Sequence, residues 1–467
     1  MLSKQGWVQG ETEVMRNLKS ALLLGASFVV SQQAAAQESS ATQATASANE
    51  IVVTANKREQ NLNDVGLTIA AISGEKLKDN RILSISDLSD VVPGLVFSTS
   101  NSNTPILTIR GIGFNESSLG VYPAVSVYLD EAPQPFPVMG LHTAFDVQRV
   151  EVLKGPQGTL FGQNSTGGAI NFVANKPTDN LEASFNLGYG RFNRLEGDGF
   201  ISGPVSDTLR ARLAFSAVHS DDWQRSASRP DETNGSEEYY AGRLILDFEP
   251  SDTARFSLSL NAWQDRSDPQ AQQHIAARAK TTTAPNAALI LAAPFSELTS
   301  RAADWSVGAT PRSNRKQVQA SLRGDFDVSD DLTVTSLTNY IDYSQEQAVD
   351  TDGLPLALGD LWQADGDIQT FTQELRIANN SLNRFRWLLG GNYEKSKTYE
   401  YQNFKFDNLT SSRPQTLNMN QVGGEVIQDI ENIAVFGNVE FDVTDRLTLK
   451  AGARYTDDVD GPCTRQW

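Results

Sequence analysis

The sequence predicts a mainly β protein: a small N-terminal α+β domain followed by an incomplete antiparallel transmembrane β-barrel, with about 11 of 22 strands. Three observations predict it. After Leu181, eleven stretches alternate apolar and polar residues at period 2, near 181–190, 193–203, 207–219, 237–249, 252–266, 313–327, 331–347, 366–379, 383–400, 425–442 and 446–456. Their connections alternate in length. Short turns at 204–206, 250–251, 328–330, 380–382 and 443–445 interleave with long loops at 220–236, 267–312, 348–365 and 401–424, and only 191–192 breaks the rule. Short turns on one side and long loops on the other mark a membrane barrel; a sandwich would bury its apolar face against a second sheet. Finally, residues 147–177 read as strand, glycine-rich turn, strand.

Composition bounds the chemistry. The 467 residues are 39% hydrophobic and 21% charged, with mean hydropathy −0.36. No apolar run of about 18 residues follows the N-terminus, which excludes a helical membrane protein. A barrel hides its lipid face in the alternation, so ordinary hydropathy does not exclude it. The net charge of −18 excludes nucleic acid as a partner, because its phosphates would be repelled. Cys463 is the single cysteine, so no internal disulfide forms. His142, His219 and His274 lack metal-ligand spacing. Lys154 precedes the glycines of its turn, unlike a P-loop, and Gly111-Ile-Gly113 lacks the third glycine of a dinucleotide fingerprint. No catalytic constellation stands out, so neither enzyme activity nor a cofactor or metal is expected.

In chain order, residues 1–36 read as a signal peptide. Arg16 and Lys19 precede the apolar run 21–30, and Ala34-Ala35-Ala36 offers a cleavage site, with translation starting at Met15. Residues 37–59 form a polar linker that ends in the β-prone segment Ile51-Val52-Val53-Thr54-Ala55. That segment reads either as the first strand of the next domain or as a strand offered to a partner by β-addition. Residues 60–178 form the α+β domain. Strands are expected at 65–71, 94–98, 105–110, 123–129, 147–153 and 169–174, with a helix from Ser73 to about Asn80 and a capping box at Ser84–Asp87. The stretches 99–104 and 133–141 read as loops. Gly155, Gly158, Gly162, Gly167 and Gly168 make the turn.

"VQRVEVLKGPQGTLFGQNSTGGAINFVANKP" (147–177) resembles the end of the plug domain of TonB-dependent outer-membrane receptors. "IVVTANKREQNLNDVGLTIAAISGEKL" (51–77), "DLSDVVPGLVF" (87–97), "LTIRGIG" (107–113) and "VSVYLDEAP" (125–133) follow that family's order. The resemblance implies a plug at 60–178 inside a barrel beginning at 179. It implies that Ile51–Ala55 is a TonB box, pairing with TonB and its inner-membrane ExbB/ExbD complex. Arg110, Arg149, Glu151 and Lys154 are expected to latch plug to lumen wall. Phe136 and Met139 lie in a loop that either contacts substrate or packs on the wall. The linker is too short for the extra domain of receptors that also signal, so a transcription role is not expected.

The expected activity is active uptake by a monomer in the Gram-negative outer membrane, with a ferric siderophore as substrate. Cobalamin, a saccharide or an aromatic compound are the alternatives. A passive pore would need neither plug nor partner strand. The pattern collapses after Tyr455, and Pro462 breaks the strand before Trp467. The chain therefore reads as C-terminally truncated and unable to close a barrel, which makes a non-functional receptor fragment the competing reading.

Overall fold

The computed structural model describes residues 52–466 except 55, 59, 83, 101–102, 117, 277–286, 297–298, 380–382, 407–420, 445 and 461–463. The signal-peptide reading lies outside the described residues, as do Ile51 and Ala55.

A short ribbon, β1 (Val52–Val53) with β2 (Gln60–Asn61), precedes the α+β domain. The plug is built on β3 (Ile69–Ser73), the hairpin β4 (Leu95–Thr99) and β5 (Pro105–Ile109), β6 (Val125–Leu129), β7 (Ala132–Gln134), β8 (Val147–Lys154) and β9 (Gly168–Ala174). Its five-stranded sheet runs β3-β8-β9-β6-β7, antiparallel except for the β6–β9 pair. Ser73 caps the helix Gly74–Asp79 by accepting from the Lys76 amide, as its position before an apolar-periodic run requires. At the expected capping box one of the two reciprocal bonds forms, with Asp87 accepting from the Ser84 amide, and the helix Leu88–Val91 starts after it. Sequence reading left 133–141 as loop. It holds β7 and a 3-10 turn at Pro137–Gly140, because Pro133 and Pro135 masked the strand signal.

Both faces of this small sheet are covered. Ile109, Val125, Val150, Val152, Ile170 and Phe172 are fully buried in one core with Leu77 and Leu88 from the helices. Gly168 shows why the turn is glycine-rich. It has φ +148°, and a Cβ would sit 2.2 Å from the Leu153 carbonyl oxygen. Gly155 and Gly162 also have positive φ, Gly167 packs on the Ile112 carbonyl, and Gly158 opens the one-turn helix Gly158–Phe161.

The second sheet wraps the plug. Its strands are β10 (Glu182–Tyr189), β11 (Leu195–Ser206) and β12 (Leu209–Ser220); then, after the loop strands β13 (Gln224–Ser226) and β14 (Thr233–Asn234), β15 (Glu237–Ser251) and β16 (Ala254–Asp265). The loop strand β17 (Ala302–Ala303) leads to β18 (Arg312–Ser329), β19 (Leu332–Val349), β20 (Asp360–Asn379), β21 (Phe385–Lys405), β22 (Gln421–Thr444) and β23 (Leu447–Asp460). Every neighbour is antiparallel and joined in sequence order, with β24 (Thr464–Gln466) added to β22. Among the described strands the sheet does not close, since β10 and β23 do not pair. The eleven strands fall where the alternation places them.

Alternation sorts the two faces. Leu213, Phe215, Tyr240, Phe248, Leu260, Val318, Leu322, Tyr340, Leu389, Val439 and Tyr455 are exposed on the outer face. Tyr189, Tyr240 and Tyr399 point outward, as aromatic girdle residues should. Tyr239, Trp263 and Tyr343 do not: their parity turns them into the lumen, where Tyr239 and Trp263 flank His142 of the plug at 4.7 and 4.8 Å.

Candidate functional site

The site starts at the ribbon β1–β2. Val53 is fully buried while Val52 is 42% exposed, and among the described strands β1 pairs only with β2, so its other edge carries no strand. Thr54 ends the ribbon on a carboxylate. Its amide donates to both oxygens of Glu151 at 3.0 and 3.1 Å, and its hydroxyl donates to them at 3.2 and 3.1 Å. Glu151 is fully buried on β8; Arg149 Nε donates to it at 2.8 Å, and Asn171 Nδ2 donates to the Thr54 hydroxyl.

Three residues on, the chain meets the barrel. Lys57 adopts φ +55° and is buried, its ammonium bonded to Glu374 of β20 and lying 5.9 and 5.2 Å from the rings of Phe161 and Phe436. Burial lowers the Lys57 pKa, and Glu374 only partly offsets this. From Glu374 the network continues to Arg376 (3.0 Å), then to Glu131 in the β6–β7 turn (2.5 Å). Arg323 of β18 reaches the other oxygen of Glu131 at 2.8 Å and Asp325 at 2.7 Å. Burial pushes the Glu131 carboxyl up, but Arg376 and Arg323 outweigh it and hold the group well below the usual carboxylate range. An ionic chain thus links the segment after Thr54 to β18 and β20 and to the plug.

Further contacts bind the plug to the barrel elsewhere. Arg212 pairs with Asp146 (2.7 Å), and Arg243 donates to the Phe145 carbonyl at 2.9 Å. His142 meets Asp265, which also binds Arg315. Tyr122 donates to Glu394 at 2.8 Å, and Ser118 with the Leu119 amide donates to Glu400.

The residues expected as a latch sit differently from one another. Arg149 and Glu151 bond to each other and to Thr54, inside the plug. Lys154 donates to the Pro93 carbonyl, also inside the plug, and the Arg110 amide donates to Gly94. The ionic contacts that cross to the barrel use Lys57, Glu131 and Asp146 instead, with hydrogen bonds from Tyr122 and Ser118. The sequence held a signal for them. Lys57 follows the partner-strand segment directly, and alternation puts Arg323, Glu374 and Arg376 on lumen faces. Phe136 and Met139 are fully buried with Leu119, Trp263, Ile341 and Tyr343, and Phe136 stacks on Tyr122 at 5.0 Å. In this conformation they pack on the wall.

The long loops fold on one another. β13 pairs with β14 and with β17, and Asp304 accepts from Ser226 Oγ and the Ser228 amide, which joins loop 220–236 to loop 267–312. The Ser306 amide donates to Asp350, which ties both to loop 348–365. There Asp350, Asp352 and Asp360 place carboxylate oxygens within 4.8 Å of one another. Burial, then Asp360 and Asp352, pushes the Asp350 carboxyl up to about 8; burial, then Asp360, pushes Asp352 up to about 7. Raised carboxylate pKa values mean that the fold prefers the protonated forms. Their contribution is full below the unfolded value near 4 and is lost as pH rises through 7 to 8. Hydrogen exchange at the amides of Ser306, Gly353 and Leu354, corrected for base catalysis, should accelerate from pH 6 to pH 9, and Asp350→Asn should flatten that dependence. A flat profile in the unsubstituted protein would contradict it.

Comparison with known proteins agrees with this architecture. The family model described as TonB-dependent Receptor Plug Domain matches residues 61–169, and TonB dependent receptor-like, beta-barrel matches 262–462. The pesticin receptor of Yersinia pestis is 24% identical over 415 residues, which is 87% of this chain and 56% of the relative. The vitamin B12 transporter BtuB of Vibrio vulnificus is 24% identical over 220 residues, 47% of this chain and 35% of the relative. The chain spans about half the length of the curated relatives it matches. Among solved structures, the ferric yersiniabactin uptake receptor FyuA from Yersinia pestis superposes with TM-score 0.68 at 18% identity, covering 86% of this chain and 60% of that one. The ferripyoverdine receptor of the outer membrane of Pseudomonas aeruginosa gives 0.68 at 14% identity, covering 97% and 60%. With a plug and a barrel wall both matched in order, the chain belongs to the TonB-dependent receptors of Gram-negative outer membranes.

Proposed function

We propose that the protein works in active uptake of a ferric siderophore across the outer membrane, driven by TonB with its ExbB/ExbD complex pairing along residues 51–55. The observation that carries the reading is the docking of Thr54 on Glu151, three residues before Lys57 enters the ionic chain to the barrel. A partner that adds a strand to the open edge at Val52 competes for backbone groups and pulls on that connection. Pull is thereby delivered to the contacts that hold the plug. Two solved relatives support an iron complex as cargo: a ferric yersiniabactin uptake receptor and a ferripyoverdine receptor. A second reading, cobalamin uptake, is favoured by the match to a vitamin B12 transporter. The receptor acts as a monomer, each barrel enclosing its own plug.

Uptake of radiolabelled ferric yersiniabactin, ferripyoverdine and cyanocobalamin by cells expressing the protein tests both. One iron complex is expected to accumulate, and deletion of residues 51–55 to abolish this while surface binding persists. Equal uptake by the deletion variant would remove the partner-strand claim, and accumulation of cyanocobalamin alone would favour the second reading.

A further inference from the structure

We infer that the solute's passage runs down the wall formed by β16 and β18, and that this wall is built for a solute rich in oxygen acceptors. The inference rests on the uptake reading and goes beyond it by naming the route. The lumen-facing row of β18 is Ser313, Arg315, Gln317, Gln319, Ser321, Arg323 and Asp325, without one apolar side chain. At about 3.3 Å per residue it covers roughly 40 Å along the strand, enough to cross the membrane even when tilted.

This row is under-bonded where it meets the plug. Among the described residues, Trp263 Nε1 of β16, Ser313 Oγ, Arg315 Nε and Gln317 Oε1 of β18, and Gln134 Nε2 of the plug are buried without a hydrogen-bond partner, while Gln317 Nε2 donates to Gln134 Oε1 at 3.4 Å. Buried polar atoms are nearly always paired, so such a cluster on one seam is unusual. Three of the five atoms are N–H donors, which calls for acceptor oxygens. The wall of β21 makes the contrast. Its lumen row carries the apolar Leu388 beside polar groups, and Asn392, Glu394, Ser396 and Glu400 are met by plug or barrel groups, including Tyr122, Ser118 and Arg454. A satisfied seam costs its hydrogen bonds to open, whereas an unsatisfied one gains partners from a passing solute.

Below the orphaned atoms the seam widens. A cavity of about 390 Å³ lies between the plug and β15–β19, lined by Ser257, Ser259 and Ser321, small side chains that leave room. Thr54, Lys57 and Arg149 form its plug side, so withdrawing the segment 54–57 enlarges this space. At the level of Gln317, which lies opposite both Trp263 and Tyr343, the apolar cluster of Phe136, Met139, Trp263 and Tyr343 narrows the seam. That places Phe136 and Met139 on the route rather than at the surface.

Single cysteines test the route without knowledge of the cargo. In a Cys463→Ser background, Gln317→Cys, Ser321→Cys and Ser259→Cys mark the proposed wall and Ser396→Cys marks β21. A membrane-impermeant sulfonated maleimide is added to energised cells containing TonB. The three wall positions are expected to react at least about tenfold faster than Ser396→Cys, roughly the worth of one restored hydrogen bond to a charged group. Equal or faster reaction at Ser396→Cys would overturn the route. N-ethylmaleimide, poor in acceptors, should show a weaker preference, and an undiminished one would overturn the acceptor claim. Val52→Pro should abolish reaction at all wall positions. If reaction persists there, the route stands and partner-driven opening fails. If reaction in energised cells moves to β21 and still depends on Val52, coupling stands and the route fails.

Discussion

Replacing Glu131 by alanine is expected to loosen the plug from the barrel by about 3–5 kcal/mol, the usual cost of stranding one side of a buried ion pair. Glu131 of the plug is held by arginines from two barrel strands, Arg376 at 2.5 Å and Arg323 at 2.8 Å. Without it, Arg376 keeps only Glu374, and Arg323 keeps only Asp325. Glu374 already serves Lys57, so three cations, two of them buried, would share two carboxylates. Limited proteolysis in detergent reads this out. Trypsin should cut within residues 60–178 of Glu131→Ala under conditions where the unsubstituted plug survives. Glu131→Gln keeps the shape and loses the charge, and should fall between the two. A plug equally resistant in all three would show that this cluster does not hold it.

The second large effect is expected at Glu151. Replacing it by alanine removes the acceptor of the Thr54 amide and hydroxyl and the partner of Arg149. Hydrogen bonds to a charged group are worth about 1.5–3 kcal/mol each, so losing even one shifts docking of the segment by roughly 10- to 150-fold. Val53 remains buried and opposes full release, since its side chain contributes about 1.5–3 kcal/mol on its own. A nitroxide at Val52→Cys, in a Cys463→Ser background, should change from immobilised to mobile when Glu151→Ala is added. Arg149→Ala leaves the Thr54 contacts in place and should give a smaller change. An immobile label in the Glu151 variant would show that the ribbon pairing, not the carboxylate, docks the segment.

Most of the architecture was legible because period 2 is a strong signal over long strands. The rows of β16, β18 and β21 declare their two faces without any tertiary information. The plug was legible through its turn, where Gly168 can be nothing else. What resisted was parity and pairing. Tyr239 and Tyr240 look alike in sequence, yet one faces the lumen and one the lipid, since adjacent strand residues point oppositely. The latch could not be read because charge reveals only that a partner is needed. Arg149 and Glu151 stand out in sequence, but they satisfy each other and Thr54. Lys57 looks like linker composition, and only the fold reveals that it is inserted into the wall beside Glu374. Thr54 and Glu151 were each singled out for a different reason, and 97 residues of separation hid that they touch.

Strand length carries a last consequence. β20, β21 and β22 have 20, 21 and 24 residues. Even tilted by about 40°, such strands rise some 50–60 Å, against a hydrocarbon band of about 25 Å. With the short turns at one end, the surplus stands on the side of the interlocked loops. The wall therefore overhangs the bilayer like the collar of a well, and anything arriving from outside touches protein long before it touches fat.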